Sequence, residues 1–253
     1  MRLRCFVRGV PLFVFLRGMP VYLRNYARIR NQACQDAREF PFGKMYPCVE
    51  DRYKESGETP RHYFQQDLLV AQRVFQNRPL KHVDIGSRVD GFIAHVAAFR
   101  EIEVLDIRGL ECNIRNIRFR RANIMDDQFR LRDYCDSVSC LHALEHFGLG
   151  RYGDPVDYHG HVKGLENISC MLKKQGKLYL SVPIGEQRIE FDAHRVFSIR
   201  YLLDLLDGKY RLDSFSYIDD AGALFVDVPL QEADVTRNFS CHYGCGIFEL
   251  SKL

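Results

Sequence analysis

Ten residues, His82 to Gly91 (HVDIGSRVDG), constrain the fold of this chain more than any other stretch. Val83, Asp84 and Ile85 read as a buried strand that runs into a glycine turn. Phe92, Ile93, Val96 and Ala97 then recur at helical spacing. A second apolar strand follows, Val104 to Arg108 (VLDIR), and it carries an acid, Asp106. Strand, glycine turn, helix, strand and an acid about 20 residues after the first glycine form the dinucleotide-type βαβ fingerprint. Each part has a physical use. Gly86 lets the backbone approach a ligand closely, the helix start offers free N–H groups, and a carboxylate at the second strand's tip can accept both hydroxyls of a ribose. The pattern departs from GxGxxG: position 88 is Arg, and only Gly86 and Gly91 are present.

The 253 residues suit one α/β domain with an N-terminal extension. We place the extension and connector at residues 1–60 and the α/β domain at 61–253. A hydrophobic content of 46% and a charged content of 27% are ordinary for a globular chain, so a large core is expected. The net charge of +3 does not by itself argue for nucleic acid. Nine cysteines occur at scattered spacings with no C-x-x-C. Cys241 and Cys245 have the wrong separation for a zinc knuckle, so reduced cytoplasmic thiols are expected.

Arg2, Arg4 and Arg8 precede an apolar run from Val10 to Leu16, and Arg17, Arg24, Arg28 and Arg30 follow it. The run is too short to span a membrane. It leaves three readings open: a helix packed on the domain with a solvated arginine face, a peripheral contact with an anionic membrane surface, and a cleaved leader lacking a clear cleavage site. Gln32 to Pro60 reads as an irregular connector. Tyr63 to Asn77 reads as a helix with Phe64, Leu68, Ala71 and Phe75 on its inward face.

Beyond Asp106, a strand near Ile117 to Phe119 leads to Asn123, Ile124 and Asp126. Either Asn123 or Asp126 could sit over a base, and a plain loop fits as well. The next strand, Asp136 to Leu141, opens into the densest polar run of the chain: His142, Glu145, His146, Arg151 and Asp154, interrupted by Gly148, Gly150, Gly153 and Pro155. Ligands bind at that edge of a parallel sheet. His142 to His146 (HALEH) also matches H-x-x-E-H, which needs both histidines on one face of a continuous helix. That hydrolase reading predicts zinc on His142 and His146, but the glycines cut any helix short, and no metal is assigned. His161 to Lys174 reads as an amphipathic helix stopped at Gly176, with Val162, Leu165, Ile168, Met171 and Leu172 inward. Lys177 to Ile184 is a strand, and Gly185 to Phe197 a loop carrying His194 and Arg195. A Ser198-capped helix, a strand from Tyr210 to Ile218 and a strand from Gly246 to Lys252 complete the domain.

The order HVDIGS, VLDIR, DSVSCLHALEH and LENISCMLKKQGKLYLSVP resembles a class I S-adenosylmethionine-dependent methyltransferase. QDLLVAQ, HVDIGSRVDGF, LHALEHFGLGRYGDP, SVPIG and AHRVF resemble the branch known as domain-of-unknown-function family 268, from about Tyr63 onward. The resemblance implies a doubly wound, mostly parallel seven-stranded Rossmann-like sheet with its last strand antiparallel. It implies S-adenosyl-L-methionine as cofactor. Asp84, Gly86 and Ser87 would line its methionine end, with Arg88 and Gly91 beside them, Arg88 able to pair the cofactor carboxylate. Asp106 and Ile107 would take the ribose, Asn123 and Ile124 the adenine, and Leu141 and His142 would lie near the transferring methyl. Where the class usually has glycine, this chain has Arg88 and Asp90. For a hydroxyl acceptor, His142 or His146 would be the base, oriented by Glu145, with His194 and Arg195 completing the acceptor pocket. A small-molecule or glycan-precursor acceptor is expected. A nucleic-acid acceptor is not, since no long basic stripe accompanies the site. A non-catalytic binding or scaffold protein on the same fold is the alternative.

Overall fold

The computed structural model describes residues 12–35, 42–53, 61–110 and 113–253. Two compact units lie within residues 1–58 and 59–253. In the first, helix α1 (Leu12–Gln35) contains Pro20. Gly18 lies so near Val49 that a Cβ there would come within 2.7 Å of the valine side chain. The Arg17 guanidinium covers the Tyr53 ring at 4.7 Å. Arg2, Arg4, Arg8 and Val10, and residues 36–41 and 54–60 of the polar connector, lie outside the described residues. No helix among the described residues is long and apolar enough to cross a membrane.

The second unit is built on one sheet. Its strands are β1 (His82–Ile85), β2 (Ile102–Asp106), β3 (Ile117–Arg121), β4 (Cys135–Leu141), β5 (Leu172–Ile184), β8 (Tyr210–Ile218), β9 (Leu224–Phe225) and β10 (Gly244–Lys252). β6 (Arg188–Glu190) and β7 (His194–Val196) form a separate hairpin. The sheet order is β3-β2-β1-β4-β5-β10-β8-β9. β1 to β5 pair in parallel, whereas β10 runs antiparallel between β5 and β8. The expected seven strands are present, and the two-residue β9 adds an eighth at one edge. The opposite edge, β3, reads IRFRR, and its charges discourage pairing with another chain.

Side-chain alternation builds a core on each face. Leu178, Leu180 and Val182 of β5 face one way with Val83, Ile85, Val138 and Cys140, against α4 (Gly160–Met171) and α5 (Ile199–Leu206). Tyr179, Val104, Leu141 and Ile247 face the other way, against α2 (Arg61–Asn77) and α3 (Ala94–Ala97). Ser198 accepts a hydrogen bond from the Tyr201 N–H and caps α5 as its sequence predicts. A short helix α6 (Glu232–Thr236) lies in the connection before β10.

Three expectations are corrected. The inward face of α2 is not Phe64, Leu68 and Phe75, which are 44%, 41% and 56% exposed. It is His62, Gln66, Asp67, Val70, Ala71 and Val74. The period is right and the phase is wrong, because Gln66 and Asp67 find buried hydrogen-bond partners and turn the helix toward them. Helix α4 ends at Met171, not Lys174, and β5 begins at Leu172. Leu172 pairs with Cys135 and a register shift follows, so Gly176 is a strand glycine packed on the Leu172 side chain. The loop from Gly185 to Phe197 contains the β6–β7 hairpin.

His82 faces Ser137 Oγ at 2.7 Å and Ser139 Oγ at 3.2 Å. Burial lowers its pKa to about 3, and burial lowers that of His161 to about 4. The folded state therefore holds fewer protons than the unfolded chain between those values and about 6.5, so stability rises with pH in that window and is lost on acidification. Asp84, whose pKa burial raises to about 7, acts in the opposite direction over part of this range. The histidine contribution, about 1.4 kcal/mol per pH unit for each, is therefore read as a difference between wild type and variant in urea denaturation from about pH 4 to 6. His82→Gln should remove one such contribution.

Candidate active site at the carboxyl edge of the sheet

The order of the sheet reverses between β1 and β4, and a crevice opens at their carboxyl ends, as in other doubly wound sheets. It is a cavity of about 350 Å³. One wall is the glycine turn. Gly86 has φ +74°, and its N–H donates to the Leu105 carbonyl at 2.9 Å. A Cβ at Gly86 would press on Ala143 at 3.1 Å. Ser87 and Arg88 continue the wall.

Asp84 lies beneath this turn and does not line the cavity. Its carboxylate accepts from Ser87 N at 2.9 Å, Ser87 Oγ at 2.9 Å and Ser139 Oγ at 2.5 Å. Burial raises its pKa to about 7 despite those donors. Its role is to hold the turn onto β4. Gly91 also leaves the expected cofactor set: a Cβ there would sit 2.5 Å from Asp67 Oδ2, so this glycine lets α2 approach. The irregular turn Val89–Ile93 carries φ −119° and ψ −116° at Gly91. Arg88, instead of standing free for a ligand carboxylate, is paired with Asp90 by two bonds of 2.9 and 2.6 Å.

Asp106, Ile107, Asn123 and Ile124 line the second wall, with Leu105 and Met125. Arg108 already grips Asp106, its Nε at 3.0 Å from Oδ1 and its terminal nitrogen at 2.7 Å from Oδ2. The same guanidinium lies over the Tyr152 ring at 4.5 Å. Asp126 instead caps its own turn by accepting from Gln128 N.

The third wall comes from the end of β4: Leu141, His142, Ala143, His146, Phe147, Arg151, Tyr152 and Asp154, faced by Tyr63 of α2. His142 has φ +48°, rare for a residue with a side chain, and its N–H donates to the Ser181 carbonyl at 3.0 Å. Leu144 to His146 form a single 3₁₀ turn. The two histidines of HALEH therefore share no helix face, and the zinc hydrolase reading is overturned.

Glu145 is buried, and its Oε1 is 2.8 Å from His142 Nδ1 and 3.8 Å from His146 Nε2. Burial pulls the His142 pKa down, but its interactions with the Cys245 sulfur and the Glu145 carboxylate outweigh it and raise the value well above normal. Burial lowers His146 below the usual range. His146 Nδ1 is 2.7 Å from the Ala193 carbonyl, which can only accept. Nδ1 thus carries the proton, and Nε2 presents a lone pair beside the cavity. His146 is the better-placed base of the two candidates, and Glu145 orients His142 most directly.

His194 and Arg195 do not line the cavity, contrary to expectation. His194 packs on Tyr243 with ring centroids 4.9 Å apart and stands 3.0 Å from the Glu190 carboxylate. The buried Arg195 guanidinium donates to the carbonyls of Phe147 at 2.6 Å, Tyr158 at 3.1 Å and Glu145 at 3.4 Å. It clamps the loop from inside. Asp154 ties the same loop from its rim, accepting from Gly148 N at 2.8 Å and Gly150 N at 3.2 Å. Tyr63 and Arg108 were not anticipated. Tyr63 reaches the cavity only because α2 folds across the sheet edge, whereas Arg108 stands two positions past the acid and offered a local charge-pairing signal.

The family described as Caenorhabditis protein of unknown function, DUF268, matches residues 103–239. The chain belongs to this family. Among curated proteins none matches this DUF268 member. Solved structures with the same fold include the 1,6-didemethyltoxoflavin-N1-methyltransferase of Burkholderia thailandensis with bound 1,6-didemethyltoxoflavin and S-adenosylhomocysteine. It is 13% identical with a TM-score of 0.52, over 74% of this chain and 76% of that one. The N-methyltransferase NodS of Bradyrhizobium japonicum WM9 in complex with S-adenosyl-l-homocysteine is 13% identical with a TM-score of 0.52, over 81% and 91%. The [4+2]-cyclase SpnF is 12% identical with a TM-score of 0.51, over 74% and 80%. These likenesses establish a Rossmann-like methyltransferase fold for this DUF268 chain.

Arg195→Met keeps most of the side-chain volume and leaves the loop carbonyls without their donor. Urea denaturation should show a loss of about 2–4 kcal/mol. A loss under about 0.5 kcal/mol would mean that the clamp contributes nothing.

Proposed function

We propose that this protein is an S-adenosyl-L-methionine-dependent methyltransferase acting on a hydroxyl of a small molecule or sugar precursor. The observation that carries the reading is the convergence, in one cavity, of the glycine turn, an acid at the tip of β2, and an imidazole base. The residues present fit the cofactor. A side chain at Gly86 would narrow the turn against Ala143, Asp106 offers two carboxylate oxygens, and Leu105, Ile124 and Leu141 supply apolar walls. Asp106 would hold the ribose hydroxyls, Gly86 and Ser87 the methionine end, and Asn123 and Ile124 the adenine. S-adenosyl-L-methionine supplies an electrophilic methyl when bound.

The chain's own part is alignment and proton removal. His146 Nε2 accepts the proton of the acceptor hydroxyl, and the imidazolium so formed is stabilised by Glu145 Oε1 at 3.8 Å. Tyr63 and Tyr152 wall off the acceptor side. A second reading, a methyltransferase-fold binding protein without this chemistry, is favoured by Arg108, whose bonds already occupy both oxygens of Asp106. The SpnF likeness adds that the fold alone does not dictate the reaction.

Calorimetric titration of S-adenosylmethionine separates the two. Micromolar binding, weakened about 10- to 100-fold in Asp106→Ala and strengthened in Arg108→Ala, is the expected result. No heat from the folded wild-type chain would sink the cofactor assignment. With an acceptor in hand, His146→Ala should lower kcat by about 10²- to 10⁴-fold with cofactor affinity unchanged. The base acts when neutral and its pKa is depressed, so wild-type activity should persist below pH 6.5 and fall only on further acidification.

A further inference from the structure

Behind the cavity wall, three side chains from distant parts of the chain meet in the interior. His62 is on the first turn of α2, His142 follows β4, and Cys245 is the second residue of β10. One imidazole nitrogen from each histidine and the Cys245 sulfur all lie within 4.8 Å of one another. Cys245 is fully buried and both histidines are 8% exposed. The two imidazole rings stand parallel, 5.4 Å apart. His142 Nε2 is buried without a hydrogen-bond partner among the described residues, and the Cys245 thiol makes long contacts, 3.5 Å to Gln66 Oε1 and 3.9 Å to the Gly246 carbonyl.

We propose that His62, His142 and Cys245 form a binding site for a divalent transition metal ion, zinc by donor chemistry. Two imidazoles and a thiolate are a borderline-to-soft set, suited to zinc and unsuited to magnesium or calcium. Ligands on one tetrahedral zinc stand about 3.4–3.6 Å apart, so these atoms must close by about an ångström. Rotation about side-chain bonds supplies that. The 2.8 Å bond from His142 Nδ1 to Glu145 is the second observation. A carboxylate accepting from Nδ1 turns Nε2 toward the other two ligands, the arrangement that orients metal-bound histidines, and the metal takes the place of any proton on Nε2.

This is a different site from the one HALEH suggests. His146 takes no part, since it is not among the three residues whose ligand atoms lie within 4.8 Å of one another. The metal would fasten the first turn of α2, and with it Tyr63, to the sheet edge beside the cavity. The site stands whether or not the chain transfers methyl groups.

The test is titration of the chelator-stripped full-length chain with cobalt(II), followed by zinc competition and X-ray absorption of the zinc form. One equivalent of cobalt should bind with a thiolate charge-transfer band, displaced by zinc, and the absorption spectrum should show one sulfur and two imidazole nitrogens. Glu145→Gln should weaken binding about 10- to 100-fold. Cys245→Ser should abolish the band and weaken binding by more than that, and His146→Ala should leave both unchanged. Circular dichroism checks that each variant folds. If Cys245→Ser does not fold, the wild-type ligand shell and His62→Gln, which should weaken binding at least tenfold, decide the matter. A wild-type shell without sulfur, wild-type binding no tighter than in a folded Cys245→Ser or His62→Gln, or loss of binding in His146→Ala would overturn the proposal.

Discussion

A carboxylate buried between two imidazoles governs this site. Glu145 is 2% exposed, and an isolated charge at that depth would cost several kcal/mol. His142 and His146 offset that cost, and the local backbone is arranged to bring them there. His142 adopts φ +48° so that its ring turns back toward Glu145, and a single 3₁₀ turn places His146 on the acid's other side. The loop that follows cannot hold this shape unaided. Arg195 bonds its carbonyls from within, and Asp154 gathers its N–H groups from the rim.

The same rule, that buried polar groups must find partners, settles the approach of α2. Gln66 bonds Asp67 and accepts from Ser181 Oγ, and Asp67 sits against Gly91. Those contacts fix the rotation of the helix and bring Tyr63 and His62 to the sheet edge. Phe64, Leu68 and Phe75 are left facing outward. Gly91 thereby changes meaning. The fingerprint makes it a ligand glycine, and its neighbours make it a packing glycine.

The two acids of the fingerprint also part company. Asp84 and Asp106 each stand within or at the end of an apolar strand and look alike in sequence. Asp84 is fully buried and holds Ser87 and Ser139, whereas Asp106 reaches the cavity and is met by Arg108. Register decides this: the side chain of Asp84 points toward β4, and Asp106 stands at the last position of its strand.

Sequence alone determined the alternation of strands and helices, the βαβ unit around Gly86, the cap at Ser198, the span of β8 and the crowding of polar residues after β4. All of these are local: period-2 and helical spacing, a glycine that must take φ +74°, a hydroxyl at a helix start. Only the tertiary structure decided the face of α2, the departure of Gly91, His194 and Arg195 from the cavity, the placing of His146 Nε2 beside it, and the meeting of His62, His142 and Cys245. Those depend on which elements pack together. A periodic pattern fixes spacing along an element and leaves its rotation free. Rotation is set by partners far along the chain, through buried hydrogen bonds and charges that no local pattern contains.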